Sequence, residues 1–65
     1  MQIQLNGRPY EVASPSLVDL VEQLQLGGKR YAIEINEELI PRGEQTGHLL
    51  QEGDRVEIVQ AIGGG

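Results

Sequence analysis

The chain has 65 residues, contains no cysteine and carries a formal net charge of -5 at pH 7. This length allows one small domain, and the absence of cysteine excludes disulfides, thiolate metal sites and a cysteine nucleophile. The negative charge opposes contact with nucleic-acid phosphates, and the chain has neither an apolar stretch of membrane-spanning length nor a signal-peptide profile, so we expect no nucleic acid, no membrane and a cytoplasmic location.

The chain begins with a predicted β-hairpin. Gln2 to Leu5 alternates polar and apolar residues, as a half-buried strand does, and Asn6-Gly7 is a strong signal for a two-residue turn. Tyr10 to Val12 alternates again. Pro9 places this second strand at an edge of the sheet, because proline cannot donate a hydrogen bond to a neighbouring strand.

A helix is predicted to follow the hairpin. Ser14 is the expected N-cap and Pro15 the first helical residue, while Gly27-Gly28 offers the left-handed conformation that ends a helix. The spacing of the apolar residues indicates a helix, because they form one stripe at a helical period: Leu17, Leu20, Val21 and Leu24. This stripe requires a sheet or another apolar surface to cover it.

The second half of the chain returns to strand patterns. Tyr31 to Asn36 is a predicted strand, and a turn at 36–38 leads to the short segment Leu39-Ile40. Residues 42–50 have no clear period and are assigned to irregular chain with room for one helical turn. After a tight turn at Gly53-Asp54, Arg55 to Gln60 is the last predicted strand.

These elements predict an α+β fold in which one main helix crosses a small mixed β-sheet. Alternation places the buried side chains of the two later strands at Ile33, Ile35, Val56 and Ile58, and turns Val59 outward. We expect residues 1–60 to form the domain and residues 61–65 to form a flexible C-terminal tail.

Few residues suggest catalysis. His48 is the single histidine, and nothing fixes a base or a nucleophile beside it. Ser14 and Ser16 suit helix capping, and the acidic residues are scattered, which argues against a metal site or an acid–base pair. Gly27-Gly28-Lys29 lacks the spacing of a phosphate-binding loop. We therefore predict that the chain is not an enzyme and has no catalytic residue and no bound metal.

The tail offers the chemistry of a terminal carboxylate. Residues 61–65 can extend over about 17 Å, enough to enter the active site of another protein. Glycine lets the backbone pass where a Cβ atom would clash. A terminal Gly-Gly therefore suits a carboxylate that an enzyme must reach and activate with ATP, although a frayed end or a cloning remnant would have the same sequence.

The segments Asn36-Glu-Glu-Leu-Ile-Pro41-Arg42 and Leu50-Gln-Glu-Gly53-Asp54-Arg-Val-Glu-Ile58, followed by Gly64-Gly65, occur together in this chain. The combination resembles the ThiS family, the sulfur carriers of thiamine biosynthesis, over the whole length. The resemblance implies a β-grasp, ubiquitin-like fold. It also implies that Gly65 carries the sulfur and that Gly63 and Gly64 give the tail access to an active site.

The resemblance further implies a set of partners. An E1-like adenylyltransferase (ThiF-like) would activate the Gly65 carboxylate with ATP and Mg, so the chain itself binds no cofactor. A cysteine desulfurase would supply sulfur for a thiocarboxylate, and a thiazole synthase (ThiG-like) would take it. Val59, Ala61 and Ile62 are candidate docking residues, and Arg42 faces either a partner or the carbonyl groups of its own irregular segment.

Three alternatives remain open on the sequence. The small subunit of molybdopterin synthase would have the same fold and the same tail chemistry. A ubiquitin-like modifier that is conjugated to proteins is a second possibility. A β-grasp binding module with an inert tail is the third, and a test of sulfur incorporation separates it from a sulfur carrier.

Overall fold

The computed structural model describes residues 1–60. The elements in chain order are β1 (Gln2–Leu5), β2 (Arg8–Glu11), α1 (Leu17–Gln23), β3 (Tyr31–Ile35), β4 (Glu38–Leu39), a 3₁₀ helix (Arg42–Glu44) and β5 (Arg55–Gln60). The five strands form one sheet in the order β2-β1-β5-β3-β4, with β1 and β5 parallel and the other neighbours antiparallel. The described residues therefore confirm the predicted mixed sheet with one main helix.

The β1–β2 hairpin forms at the predicted turn. Asn6 and Gly7 both have positive φ, at 51° and 83°, as a two-residue turn of this type requires. β2 lies at an edge of the sheet, as Pro9 indicates, but it runs from Arg8 to Glu11 rather than from Tyr10 to Val12. Pro9 itself lies within the strand, opposite Gln4.

The start of α1 differs from the prediction, because Ser16 and not Ser14 is the N-cap. The Ser16 hydroxyl accepts a hydrogen bond from the Asp19 amide at 3.3 Å, while the Ser14 hydroxyl accepts one from the Ser16 amide at 3.1 Å. An isolated antiparallel bridge pairs Ser16 with Leu49 and holds the chain extended there. The helix therefore cannot begin before Leu17, and the Ser14-Pro15 pair forms the turn that precedes it.

The end of α1 also differs from the prediction. Gln25 adopts the left-handed conformation that ends the helix, with φ of 59°, whereas Gly28, with φ of 80°, belongs to a later turn. The Leu26 amide donates to the Val21 carbonyl at 3.2 Å and the Gln25 amide donates to the Glu22 carbonyl at 3.0 Å, which is the Schellman pattern. Because this turn buries Leu26, the helix ends before the glycines are reached.

One apolar cluster fills the space between α1 and the sheet. Leu17 and Leu20 of the helix are fully buried in it, and Val21 and Leu24 pack at its margin. The sheet and loops contribute the other buried members, which are Ile3, Val12, Ile33, Ile35, Ile40, Leu50 and Val56. The predicted inward residues of β3 and β5 are thus confirmed, with Ile58 partly buried.

The opposite side of the sheet is exposed along β3, β4 and β5. We call this side the outer face and define it by Ala32, Glu34, Leu39, Glu57 and Val59. No helix within residues 1–60 is long and apolar enough to cross a membrane.

Candidate functional site

β5 occupies the middle of the sheet, and two asparagines hold it from opposite sides. Asn6 follows β1 and Asn36 follows β3, and both have positive φ, at 51° and 53°. The Asn6 side-chain oxygen accepts a hydrogen bond from the Ile58 amide at 2.8 Å. The Asn36 side-chain oxygen accepts one from the Arg55 amide at 3.0 Å. These contacts fix the position of β5 along both of its neighbours.

The two asparagine backbones complete this attachment. The Asn6 amide donates to the Val56 carbonyl at 2.9 Å, and the Asn36 amide donates to the Arg55 carbonyl at 2.8 Å. The Asn36 side-chain amide also donates to Asp54 at 3.0 Å, and Asp54 in turn accepts from the Gln51 amide at 2.8 Å. The predicted Gly53-Asp54 turn is therefore tied to the end of β3, with Gly53 at a φ of 83°.

The far end of β5 is held on the β3 side. Gln60, the last described residue, is exposed and pairs with Tyr31 at the start of β3. The Tyr31 hydroxyl donates to the Gln45 side chain at 3.1 Å, and Gln45 is buried and donates to the Ile40 carbonyl at 3.4 Å. The chain beyond Gln60 therefore starts from a well-anchored position at the surface.

Arg42 belongs to the same anchor. Its guanidinium lies 4.2 Å from the centre of the Tyr31 ring, a cation–π contact, and donates to the Lys29 carbonyl at 3.3 Å. Of the two expected roles, a contact with carbonyl groups is the one that the structure contains, but the carbonyl belongs to Lys29 and not to the irregular segment. We expected carbonyl groups of the irregular segment to accept hydrogen bonds from Arg42. Instead, Arg42 lies at the start of the 3₁₀ helix and contacts the Tyr31 ring of β3.

Val59 lies on the outer face, as the alternation of β5 predicts. Its side chain is 68% exposed, and it lies directly opposite Ala32 of β3. Its role in docking stays a prediction. The other predicted site residues, Ala61, Ile62, Gly63, Gly64 and Gly65, lie outside the described residues, and the boundary between residues 60 and 61 stays a prediction as well.

Next to Val59, two carboxylates share the outer face. Glu34 of β3 and Glu57 of β5 lie directly opposite each other in the antiparallel ladder. The ion pair found within residues 1–60 lies elsewhere, between the Met1 amino group and Glu11 at 2.8 Å. That contact raises the pKa of the Met1 amino group, first through the hydrogen bond that the amino group donates to the Glu11 carboxylate. Neither Glu34 nor Glu57 has such a cationic partner in the described chain.

Sequence reasoning did not single out Asn6, Asn36, Glu34 or Glu57 as site residues. The asparagines carried a signal, because an asparagine at a strand end can combine positive φ with a side-chain hydrogen bond to the backbone. For the two glutamates, the alternation of the strands indicates only that their side chains are exposed, and it does not indicate a site. His48 is half-buried, and its backbone carbonyl accepts from the Leu17 amide at 3.1 Å. No group of three metal-binding side chains converges anywhere in residues 1–60.

Comparisons with known proteins agree with this architecture. The family model described as ThiS family matches residues 3–65. The chain belongs to the ThiS family. It is 35% identical to the sulfur carrier protein ThiS of Escherichia coli over 66 aligned positions, which cover 100% of both chains. The crystal structure of the thiamine biosynthesis protein ThiS from Geobacter metallireducens superposes with a TM-score of 0.82 at 28% identity, with 100% of both chains covered.

Another relative joins a ThiS-like region to a larger protein. A thiazole synthase of Magnetococcus marinus is 38% identical over 66 aligned positions, and the match covers 100% of this chain but only 20% of that protein. In that relative, a region similar to this ThiS-family chain is therefore part of the same polypeptide as the thiazole synthase.

Proposed function

We propose that the chain is a sulfur carrier of thiamine biosynthesis and that the Gly65 carboxylate is the group that carries the sulfur. The observation that carries this proposal is the match to E. coli ThiS over the complete length of both chains. The thiazole synthase relative favours thiamine biosynthesis over the molybdopterin pathway, because sulfur for the thiazole is what such an enzyme would take from the carrier.

The chemistry requires activation of the carboxylate, since a carboxylate is a poor acyl donor. In the proposed first step, the Gly65 carboxylate attacks the α-phosphate of ATP, forming an acyl adenylate and releasing pyrophosphate. The terminal sulfur of a desulfurase-bound persulfide then attacks the acyl carbon, and AMP leaves with the bonding electron pair, which gives an acyl disulfide. A thiol reductant attacks the donor's sulfur in that S–S bond, so the donor side ends as a disulfide and Gly65 keeps the outer sulfur as a thiocarboxylate. An E1-like adenylyltransferase would bind the ATP and Mg, and a cysteine desulfurase would provide the sulfur.

The thiocarboxylate is then the reactive group offered to thiazole synthase. Its sulfur is a soft nucleophile and carries most of the negative charge of the thiocarboxylate. Because the chain contains no cysteine, the terminal thiocarboxylate would be the one reactive sulfur nucleophile that the carrier presents. The carrier is restored to the carboxylate when the sulfur has been transferred, so it acts as a recycled co-substrate and not as a catalyst.

The position of β5 supports this function. The last described residue, Gln60, is exposed at the end of β5. Asn6, Asn36 and Tyr31 hold this strand in place in the sheet. Five further residues can extend over about 17 Å, which is enough for a terminal glycine to reach an active site while the folded domain stays outside. The expected cytoplasmic location stays a prediction from the sequence.

Intact mass spectrometry tests the proposal. The chain is incubated with the adenylyltransferase of its own organism, MgATP, a cysteine desulfurase and cysteine. We expect a mass gain equal to the replacement of one oxygen by sulfur, located by fragmentation at Gly65. Absence of this gain, when the same enzymes load a known ThiS carrier in a parallel reaction, would refute the proposal.

A matched pair of variants locates the chemistry. Gly65→Val should abolish the mass gain and leave the melting temperature unchanged, because the added side chain obstructs the approach of the terminus to the active site. Gly47→Val is the control, since a Cβ atom at Gly47 meets no neighbouring atom and its φ is not positive. That variant should fold and gain sulfur as the unmodified chain does.

A further inference from the structure

The outer face contains two acidic residues in directly opposed positions, an arrangement that is expected to weaken the isolated domain. Glu34 and Glu57 occupy directly opposed positions on neighbouring strands, and like charges in such positions are destabilising. Arg55 lies on the same side of β5 as Glu57 but makes no ion pair in the described chain. Neither of the two carboxylates therefore has a cationic partner within residues 1–60.

Apolar side chains border this pair. Ala32 and Val59 lie opposite each other in the next outward-facing step of the ladder, and Leu39 of β4 lies opposite Glu34. Leu39 and Val59 are among the exposed large apolar residues of the described chain, at 59% and 68% exposure. A shallow depression of about 430 Å³ runs between Asn6, Gly7, Ala32, Glu34, Glu57 and Val59.

We propose that the outer face binds thiazole synthase and that an arginine or lysine side chain of the enzyme lies between Glu34 and Glu57. The aliphatic part of such a side chain packs on Ala32 and Val59, and its cationic end neutralises both carboxylates. Arginine fits better than lysine, because its planar guanidinium offers separate N–H groups to two carboxylates. This inference rests on the proposed function and names the surface that serves it.

Three observations select this occupant. The surface is acidic within a chain of net charge -5, so its complement is basic. Val59 lines the depression and is one residue before the last described residue of β5, so an enzyme bound here lies close to residue 60. In the thiazole synthase of Magnetococcus marinus, a region similar to this chain is covalently part of the enzyme, which keeps the two permanently together.

The proposal predicts that stability and binding change in opposite directions. Glu57→Lys replaces the repulsion by an attraction to Glu34, so it should raise the melting temperature of the free domain. The same substitution places a positive charge where the enzyme's cation would lie, so it should weaken binding to thiazole synthase by about tenfold or more. If the two glutamates were solvent-exposed but not part of a binding surface, Glu57→Lys would raise the melting temperature without weakening binding to thiazole synthase.

The experiment measures the affinity of the unmodified chain and its variants for purified thiazole synthase of the same organism by calorimetry or interferometry, at two salt concentrations. Glu34→Gln with Glu57→Gln keeps the side-chain shapes and should also weaken binding, with a smaller dependence on salt. The matched control is Glu22→Gln with Glu44→Gln, which removes the same charge from α1 and the 3₁₀ helix. This control should bind as the unmodified chain does.

Equal affinity of the Glu57→Lys variant and the unmodified chain would overturn the proposal, and so would absence of binding by the unmodified chain. An equal loss in the control pair would show a general charge effect and would overturn it as well. The sulfur-incorporation assay is independent of these measurements. If the unmodified chain gains sulfur while Glu57→Lys still binds the enzyme, the docking inference fails and the sulfur-carrier function stands.

Discussion

The paired strands β3 and β5 present two different surfaces from one set of hydrogen bonds. On the inner side the opposed pairs are Ile33 with Ile58 and Ile35 with Val56, and on the outer side they are Ala32 with Val59 and Glu34 with Glu57. The inner pairs follow from burial of apolar area. The outer pairs do not maximise stability, since they expose valine and oppose like charges. The difference separates residues that make the fold from residues that are available to a partner.

Ile33→Ala tests the inner surface and should have the largest effect. Ile33 is completely buried at the centre of the cluster, so its truncation should cost about 2–5 kcal/mol of unfolding free energy. A domain this small has about 3–5 kcal/mol available, so the variant should be largely unfolded in urea titrations followed by circular dichroism. Ala32→Ser, one residue away on the outer face, should remain folded, and similar losses in both variants would contradict the comparison.

Asn36→Ala tests a residue that stabilises the register of β3 against β5. A slip of one residue between β3 and β5 would exchange inner and outer side chains, and the Asn36 contacts with Arg55 and Asp54 oppose such a slip. We expect a loss of about 1–3 kcal/mol, because alanine removes these hydrogen bonds and tolerates positive φ poorly.

Asn36→Gly separates these two causes. Glycine accepts the φ of 53° at this position but has no side chain to donate or accept. Its unfolding free energy, measured by the same denaturant titration, should therefore lie between those of the unmodified chain and of Asn36→Ala. A glycine variant less stable than the alanine variant would show that the backbone conformation is not part of the cost.

Glu37→Gly should increase stability by about 0.5–1 kcal/mol. Glu37 has a φ of 71° in the turn between β3 and β4, where the equivalent residue of the other hairpin is Gly7. Glu37→Gln is the control, because it removes the charge and keeps the strained backbone. If the glutamine variant gained as much as the glycine variant in thermal melts, charge repulsion and not conformation would be the cause.

Val59→Ser should have the smallest effect on folding. Because Val59 is largely exposed, its substitution should change the unfolding free energy by less than about 0.5 kcal/mol. The same variant should bind thiazole synthase more weakly, since it removes apolar contact area next to the carboxylates. A substantial loss of stability with unchanged binding would assign Val59 to the fold and would remove it from the docking surface.

The inner surface was predictable from the sequence because it depends on local patterns. Alternation identified Ile33, Ile35 and Val56, and the Asn6-Gly7 pair located the first turn. The ends of α1 were not predictable in this way. They depend on the bridge between Ser16 and Leu49 and on the burial of Leu26, which are contacts between distant segments.

The outer surface was predictable only in part. Alternation turned Val59, Glu34 and Glu57 outward, but it could not show that the two glutamates lie opposite each other. That fact requires the register of β3 against β5, which depends on contacts between distant segments, among them the hydrogen bond from the Arg55 amide to the Asn36 side chain.

The order of synthesis gives the central position of β5 a further meaning. Among the elements of residues 1–60 this strand is synthesised last, yet it is the strand that joins the β1–β2 hairpin to the β3–β4 hairpin. A polypeptide interrupted before Arg55 lacks both that junction and the buried Val56, so we expect it not to assemble the described sheet. The two hairpins are therefore expected to lose their structure together rather than one at a time, since a single strand carries the cooperativity of the described sheet.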